Sequence, residues 1–417
     1  MTKGRRKGIS LSNQRTFASL KNRSYRLYYG GLIGEMAPMT MQMLTQSLLA
    51  YRLTGSAAIL GIVSFAHAIP MLVFSLFGGA IADRVQKKYV LVAGHVVASA
   101  IALGTALTLT LGYLSAERAG SWWILVVASA LHGTIMGFEM PSRQAIVREI
   151  VSVEQLMNAV ALNTLAMNTL RLIAPAAAGF LVDAFDFAFV YYVMGIIYLT
   201  TTIFVALLPR TSLTTTHGSS HLTDIKVGLQ YIRHKPIILV VLLFTLFVVI
   251  LSMPYSTLIP IFTEDILKVG AKGLGVLLSV SGIGAAAGSI VLASLPNKKR
   301  GLILIASSFI LGLALIGFSF SSSWYASLIL IAFVGLGQTG RMVLSNAMLQ
   351  YYVEDEYRGR VMSILLMEFG LTSFGTFGAA LLTEVIGVQW AVGGFAMVLV
   401  LLCILALTFS PRLRQLD

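Results

Sequence analysis

A small set of charged and amide side chains lies inside stretches that are otherwise apolar. Thr164, Asn168, Arg171 and Pro175 are spaced by 4, 3 and 4 residues, which places them on one face of a helix. Glu35, Met39, Gln42 and Gln46 form a similar stripe, with Pro38 as a candidate kink. Glu139, Arg341 and Glu368 interrupt further apolar runs. A charge at the centre of a bilayer costs at least about 2.5–3.5 kcal/mol, so each of these groups must face a cavity or a partner. The chemistry open to them is the binding and release of a proton, an ion or a charged part of a substrate. Bond-making chemistry would need clustered acid–base or metal-ligating groups, and the spacing offers none. Glu35 reads as a proton or cation site, or as a carboxylate paired with an arginine. Glu368 reads as a second proton carrier or as a partner of Arg341. Arg171, with Asn168 and Gln42, reads as the wall of a substrate pathway; the alternative for the arginine is a structural role against backbone carbonyls.

The elements that carry these residues follow from composition. Hydrophobic residues make up 57% of the 417 and charged residues 11%, where a soluble domain needs about 25%. The solvent of this fold is therefore mostly lipid, and only helices or closed barrels satisfy the backbone there. Unbroken apolar runs such as 237–251 and 398–407 exclude the alternation of a barrel. At about 20 residues per crossing, the chain divides into twelve helical spans, an all-α membrane protein. The fourth span is expected over 122–140 and the seventh over 236–260. Segments on one side of the membrane hold 24 Lys and Arg and those on the other hold 4, with Arg171 and Arg341 inside spans. This bias places both termini in the cytoplasm of a multi-pass plasma-membrane protein. It also accounts for the net charge of +13, so no nucleic-acid partner is implied. The basic start runs straight into a span carrying Glu35 without an A-x-A-like site, so no cleavable signal peptide is expected.

The longest polar stretch, 209–235, divides the chain into a first half at 27–208 and a second at 236–410, with a basic segment at 1–26 and a tail at 411–417. Its part 223–234 places Ile225, Leu229 and Ile232 at helical spacing, as in a short amphipathic helix on the membrane surface. A shift of 202 residues superimposes Val151 and Glu154 on Val353 and Glu356, Gly133 on Gly335, and Ala145 on Ala347. Two pseudo-symmetric halves of six spans each are a recurrent transporter plan. The same shift places Glu139 on Arg341. Opposite charges at equivalent places could meet across the two-fold axis as a cytoplasmic gate. His217, His221 and His234 read as parts of a solvated linker, and His67, His95 and His132 as neutral, hydrogen-bonded fillers. No metal site is expected. Cys403 reads as a small buried hydrophobe.

The loop after the second span reads GGAIADRVQKK over residues 78–88. Gly79 allows close helix approach, Asp83 can pair with Arg84 or a helix N-terminus, and Lys87 and Lys88 can anchor to anionic headgroups. The segment resembles the major facilitator superfamily signature G-x-x-x-D-R-x-G-R/K-R/K through Gly79, Asp83, Arg84, Lys87 and Lys88, with Gln86 in place of a glycine. Residues 141–145 (PSRQA), 228–233 (GLQYIR) and 356–363 (EYRGRVMS) resemble the drug and siderophore exporters of that superfamily, including the enterobactin-exporter type. The resemblance implies the major facilitator fold and a latch between the halves at Asp83 and Arg84. Residues 174–179 (APAAAG) are similar to the antiporter motif G-P-x-x-G-G, and Pro175 and Gly179 are read as helix-packing residues. Leu131-His132-Gly133 lacks the arginine that drug–proton antiporters often carry there.

These features converge on a secondary transporter, expected to be a monomer without cofactor, exporting a small amphipathic molecule, drug or siderophore-like, with protons as coupling ion. One charge moving through 100 mV supplies about 2.3 kcal/mol, enough for roughly a 50-fold gradient. No ATP-binding G-x-x-x-x-G-K-S/T loop is present. An importer of the same fold, for lysophospholipid or a nutrient, and a lipid-modifying membrane enzyme are the alternatives. The enzyme lacks a catalytic cluster.

Overall fold

The computed structural model describes residues 18–209, 221–295 and 298–416, with side chains for all of these except 18, 76–84, 144, 145, 148, 153, 154, 221–226, 366, 369 and 412. Among the described residues there is no strand. Six long helices come first: α1 (Arg23–Thr54), α2 (Ala57–Arg84), α3 (Lys87–Thr110), α4 (Trp123–Ile150), α5 (Val153–Ala184) and α6 (Phe187–Ala206). The short α7 (His221–His234) follows, then α8 (Pro236–Ser252), α9 (Pro254–Ile261), α10 (Gly270–Ser294), α11 (Arg300–Phe320), α12 (Trp324–Tyr352), α13 (Asp355–Ile386), α14 (Val388–Phe409) and the terminal turn α15 (Pro411–Arg414). Eleven described stretches are long and apolar enough to cross a membrane, with α8 and α9 counted as one. α1 has the length, at 32 residues, but carries Glu35, Gln42 and Gln46, and it completes the twelve.

Two elements differ from the sequence expectation. The fourth span does not end near 140: α4 runs through Pro141 to Ile150, so Arg143 is a helical residue and not a loop residue. The seventh span is broken. Pro254 starts a new helix after Met253, and a π-helical turn at Phe262–Ile266 ends it, as expected where proline removes a backbone donor. Pro38, by contrast, sits inside one continuous α1.

The packing repeats. α2 lies along α4 and α3 along α6; in the second half α10 lies along α12 and α11 along α14. The sequence repeat marks the tightest of these seams. A Cβ on Gly133 would collide with the backbone carbonyl of His67, and one on the equivalent Gly335 with that of Ser281. In lipid, where apolar faces gain little by meeting one another, such close backbone approach supplies the packing energy. Between the halves the principal seams are α5 with α10 and α2 with α13. α7 belongs to the second half: Tyr231 stacks on Tyr357 with ring centroids 4.1 Å apart, and Gly228 rests on Arg360 and Ile364. Lys235 donates to Glu354 at 2.9 Å, a hydrogen bond that raises the ammonium pKa.

Gly133→Ala and Gly335→Ala should each lower thermal stability in detergent, at a cost of about 1–3 kcal/mol. Gly378→Ala and Gly394→Ala, with nothing within 4 Å of the added carbon, should not. Equal midpoints of unfolding for all four would remove the seam argument.

Candidate functional site

The face of α5 that carries Thr164, Asn168, Arg171 and Pro175 changes its surroundings along its length. In the part away from the basic loops it is pressed against α10. Gly179 lies on the Ala271 carbonyl and Gly275 on that of Pro175, Ser279 Oγ donates to the Leu172 carbonyl, and a Cβ on Gly282 would stand 3.5 Å from the Leu172 Cα. At Arg171 the two helices part. Arg171, Asn168 and Thr164 are exposed, as are Met157 (81%) at the basic end of α5 and Ile290 (69%) at that of α10. Arg171 thus stands at the apex of a cleft that opens toward the basic end, and among the described residues it forms no ion pair. Gln42 is buried, donating to Gln46 at 3.4 Å, and Gln46 in turn donates to Ser129 of α4.

The opposite end is closed. Arg52 of α1 holds Glu264 with two hydrogen bonds, at 2.8 and 3.1 Å. Tyr51 donates to Asp265. Glu384 of α13 accepts from Ser56 Oγ at 2.6 Å and from the Ala58 backbone N–H at 2.9 Å, so a carboxylate caps the N-terminus of α2. Below this layer Gly61 packs on Phe377 and Ala380, Phe65 on Phe374 with ring centroids 5.0 Å apart, and Leu72 on Gly370.

Within the first half, Glu35 of α1 accepts a hydrogen bond from Arg143 of α4. The remaining Glu35 oxygen is 3.4 Å from His95 Nε2 of α3. Glu139, one turn before Arg143, is 3.9 Å from the same nitrogen and 3.8 Å from the guanidinium. Glu35, His95 and Glu139 are all buried, and their facing atoms lie within 4.8 Å of one another. With the positive guanidinium in the same pocket, the group is a charge cluster and not an ion cage. A Cβ on Gly94 would overlap the Glu139 carboxylate, so that carboxylate rests against bare α3 backbone. His95 and Arg143 are the members that sequence reasoning missed. A fourth span that stops at 140 leaves Arg143 outside the helix. His95 has no ligand spacing in sequence because its partners come from two other helices. The sequence signal was the i, i+4 pair Glu139 and Arg143, legible only once α4 is continued through the proline.

In the second half, Glu368 of α13 accepts from Thr245 Oγ1 of α8 at 2.7 Å and lies 3.7 Å from Arg341 of α12. A cavity of about 90 Å³ adjoins this pair, lined by Val249, Arg341, Met342, Ser345, Asn346, Leu365 and Glu368. The expected gate between Glu139 and Arg341 is not formed. In this arrangement, open at the basic end, each lies beside a nearer partner inside its own half, Glu139 by Arg143 and Arg341 by Glu368. In the loop motif, the side chains of Gly79, Asp83 and Arg84 lie outside the described residues. Lys87 is buried and pairs with Glu149 at 2.6 Å, and Lys88 donates to the Leu208 carbonyl beyond the end of α6 at 2.7 Å. These lysines tie α3 to α4 and α6, where headgroup contacts had been expected.

Twelve long helices, two like-packed halves and a cleft between them set the frame for comparison. The chain matches the family described as transmembrane secretion effectors over residues 14–417. It belongs to that family of major facilitator superfamily transporters. Among curated proteins it is similar to the staphyloferrin A transporter of Staphylococcus aureus, 25% identical over 367 residues covering 88% of this chain and 89% of that one. It is also similar to macrolide efflux protein A of Streptococcus pyogenes, 22% identical over 381 residues covering 88% and 91%. Among solved structures it resembles a D-xylose–proton symporter (TM-score 0.74, 13% identity, 95% of this chain and 99% of that one). It also resembles a bacterial homologue of the human lysosomal transporter Spinster in an inward-facing, occupied conformation (TM-score 0.71, 13% identity, 94% and 98%). At such identity the solved structures show the fold alone. The chain is a multi-pass membrane transporter of the secondary type and not an enzyme.

The first-half cluster predicts an order of effects. Arg143→Gln leaves two buried carboxylates without a cation and should destabilise by about 3–5 kcal/mol. Glu35→Gln should cost far less, because Arg143 can turn to Glu139. Thermal unfolding of the two variants decides it, and equal losses would show that the cluster is not governed by charge balance.

Proposed function

We propose that this transporter exports a small amphipathic organic molecule, drug-like or siderophore-like, by alternating access coupled to protons. The observation that carries the reading is the cleft at Arg171, open at the basic end and sealed at the other. The 24 to 4 sorting of basic residues supports a basic end in the cytoplasm, with both termini there. The arrangement is then open to the cytoplasm, ready to load an internal substrate. Thr164 and Asn168 offer hydrogen bonds along the cleft wall, and Arg171, without an ion pair among the described residues, favours a substrate with an anionic group. Gln42 of α1 adds a second polar group from the same half. Rocking of the halves would close α5 on α10 below Arg171 and part them above it.

Outward opening must break the contacts of Arg52, Tyr51 and Glu384 with their partners. Asp83 and Arg84 in the loop motif, near Gly79, would take over as the latch on the cytoplasmic side. A proton can bias the two states only by binding them unequally, and Glu35 and Glu368 are carboxylates whose pairing with arginine a proton would break. The relatives whose names specify staphyloferrin A transport and macrolide efflux are consistent with this substrate class.

Reconstituted into liposomes with an imposed pH gradient, the protein should accumulate members of a panel of amphipathic drugs and catecholate siderophores, and collapse of the gradient should abolish accumulation. Arg171→Ala should reduce transport of the anionic members about tenfold or more, equivalent to about 1.4 kcal/mol, and spare the neutral ones. Silence of a folded protein across the panel, or substrate moving only inward, would overturn the proposal. In a separate measurement, Glu264→Gln combined with Glu384→Gln should increase labelling of Ala176→Cys by an impermeant maleimide from the extracellular side. Unchanged labelling would mean that those contacts are not the barrier.

A further inference from the structure

We infer that the Glu35–His95–Glu139–Arg143 cluster holds one exchangeable proton, shared between His95 and Glu139, and that this is where the transporter takes its coupling proton. The second clause rests on the proton-coupled reading above; the first stands on the geometry.

Two carboxylates and one guanidinium leave a single negative charge in a pocket where Glu35, His95 and Glu139 are 5%, 1% and 3% exposed. Burial of an uncompensated charge is costly, and uptake of one positive charge removes the cost. Glu35 is already engaged by Arg143. The atoms without a hydrogen-bond partner are His95 Nδ1 and Nε2, Glu139 Oε1 and Arg143 Nε. His95 Nε2 faces Glu139 Oε1 at 3.9 Å and Glu35 Oε2 at 3.4 Å. If Nε2 carries a lone pair, three electron-rich atoms confront one another. If it carries the imidazole hydrogen, one hydrogen serves two anionic oxygens. Either way one hydrogen is lacking, and a proton from water placed between Nε2 and Oε1 supplies it. One N–H or O–H bond forms in the pocket, one O–H bond of a solvent hydronium ion breaks to leave water, and the pocket charge goes from minus one to zero.

The titratable groups around His95 come from several helices. α1 contributes Glu35, with Tyr28 close to Arg143. α4 contributes Glu139 and Arg143. α6 contributes Tyr198, its ring 6.5 Å from the imidazole. His67 of α2 stacks on His132 instead, with ring centroids 5.4 Å apart. The Lys87–Glu149 pair lies about two turns nearer the basic end of α3. Gly94 keeps the arrangement possible, because any side chain there would push Glu139 away from His95. The second-half pair of Arg341 and Glu368 balances in charge, with Thr245 Oγ1 placed to donate to the carboxylate.

The test uses the full chain in lipid nanodiscs with 15N-labelled histidine and no substrate. One imidazole signal, identified by its loss in His95→Gln, should pass from neutral to protonated between about pH 5 and pH 9, or a carboxylic-acid C=O band lost in Glu139→Gln should appear in infrared difference spectra over the same range. In Glu139→Gln the His95 midpoint should fall by at least about one pH unit, a tenfold loss of proton affinity. Glu368→Gln should leave it in place. A His95 signal that stays neutral together with no carboxyl band, or a midpoint insensitive to Glu139→Gln, overturns the inference. Failure of the transport panel with a titrating His95 would count against the exporter alone. Proton-driven transport with a silent cluster would move the coupling proton to Glu368.

Discussion

Helices surrounded by lipid cannot be held together by hiding apolar surface from water, so they must approach until backbones touch. The rest of this molecule depends on that contact. Gly133 on His67 and Gly335 on Ser281 zip each half internally, at positions the sequence repeat already marks as equivalent. The same device joins the halves along α5 and α10, at Gly179 and Gly275, but only over part of the helix length. Below Leu172 the contact ends, and the polar face of α5 is left lining a gap. The cleft is thus the place where a packing seam stops, and Arg171 occupies the stopping point.

The distribution of charge fits halves that move as units. Buried charges are paired inside a half: Glu35 with Arg143 in the first, Arg341 with Glu368 in the second. Breaking such a pair costs several kcal/mol, and rigid rocking leaves both intact. The contacts that rocking must break lie between the halves at the exposed end. The Arg52–Glu264 pair is 36% and 22% exposed, and exposed ion pairs are worth about 0–1 kcal/mol each. The α5–α10 and α2–α13 seams, which also join the halves, are the larger part of what the proposed rocking would rearrange.

Hydropathy carried the helical membrane fold from sequence alone, because lipid imposes long apolar runs that few soluble proteins show. The polar face of α5 was legible for the same reason: its spacing survives in any helix that contains it. Partners were not. Glu139 and Arg341 are equivalent by repeat, yet in this arrangement each lies beside a local counter-ion and not beside the other. His95 looked like a filler since its neighbours in space are about 60 and 44 positions away in the chain, on α1 and α4. Pro141 hid Arg143 in the same way. A proline in lipid-embedded sequence is a weak helix terminator, because surrounding helices can satisfy the freed carbonyl. The break in the seventh span, at Pro254, is the opposite outcome from the same residue type.

The position at which the two halves differ most is the one where the repeat is clearest. Glu139 and Arg341 occupy equivalent turns on α4 and α12, yet they carry opposite charge. Each half then required its own solution for a buried charge. The second half answers its arginine with one carboxylate from α13 and closes the account at zero. The first half answers its glutamate with an arginine one turn away, and adds a second carboxylate from α1 and an imidazole from α3. The excess acid is therefore confined to the half that also presents Arg171 to the cleft. α10, which faces it from the second half, brings mainly small and apolar residues there, such as Gly275, Ser279 and Gly282. The uncompensated charge lies in one half and a smooth opposing wall in the other. A pseudo-symmetric fold can thus carry balanced charge in one half and unbalanced charge in the other.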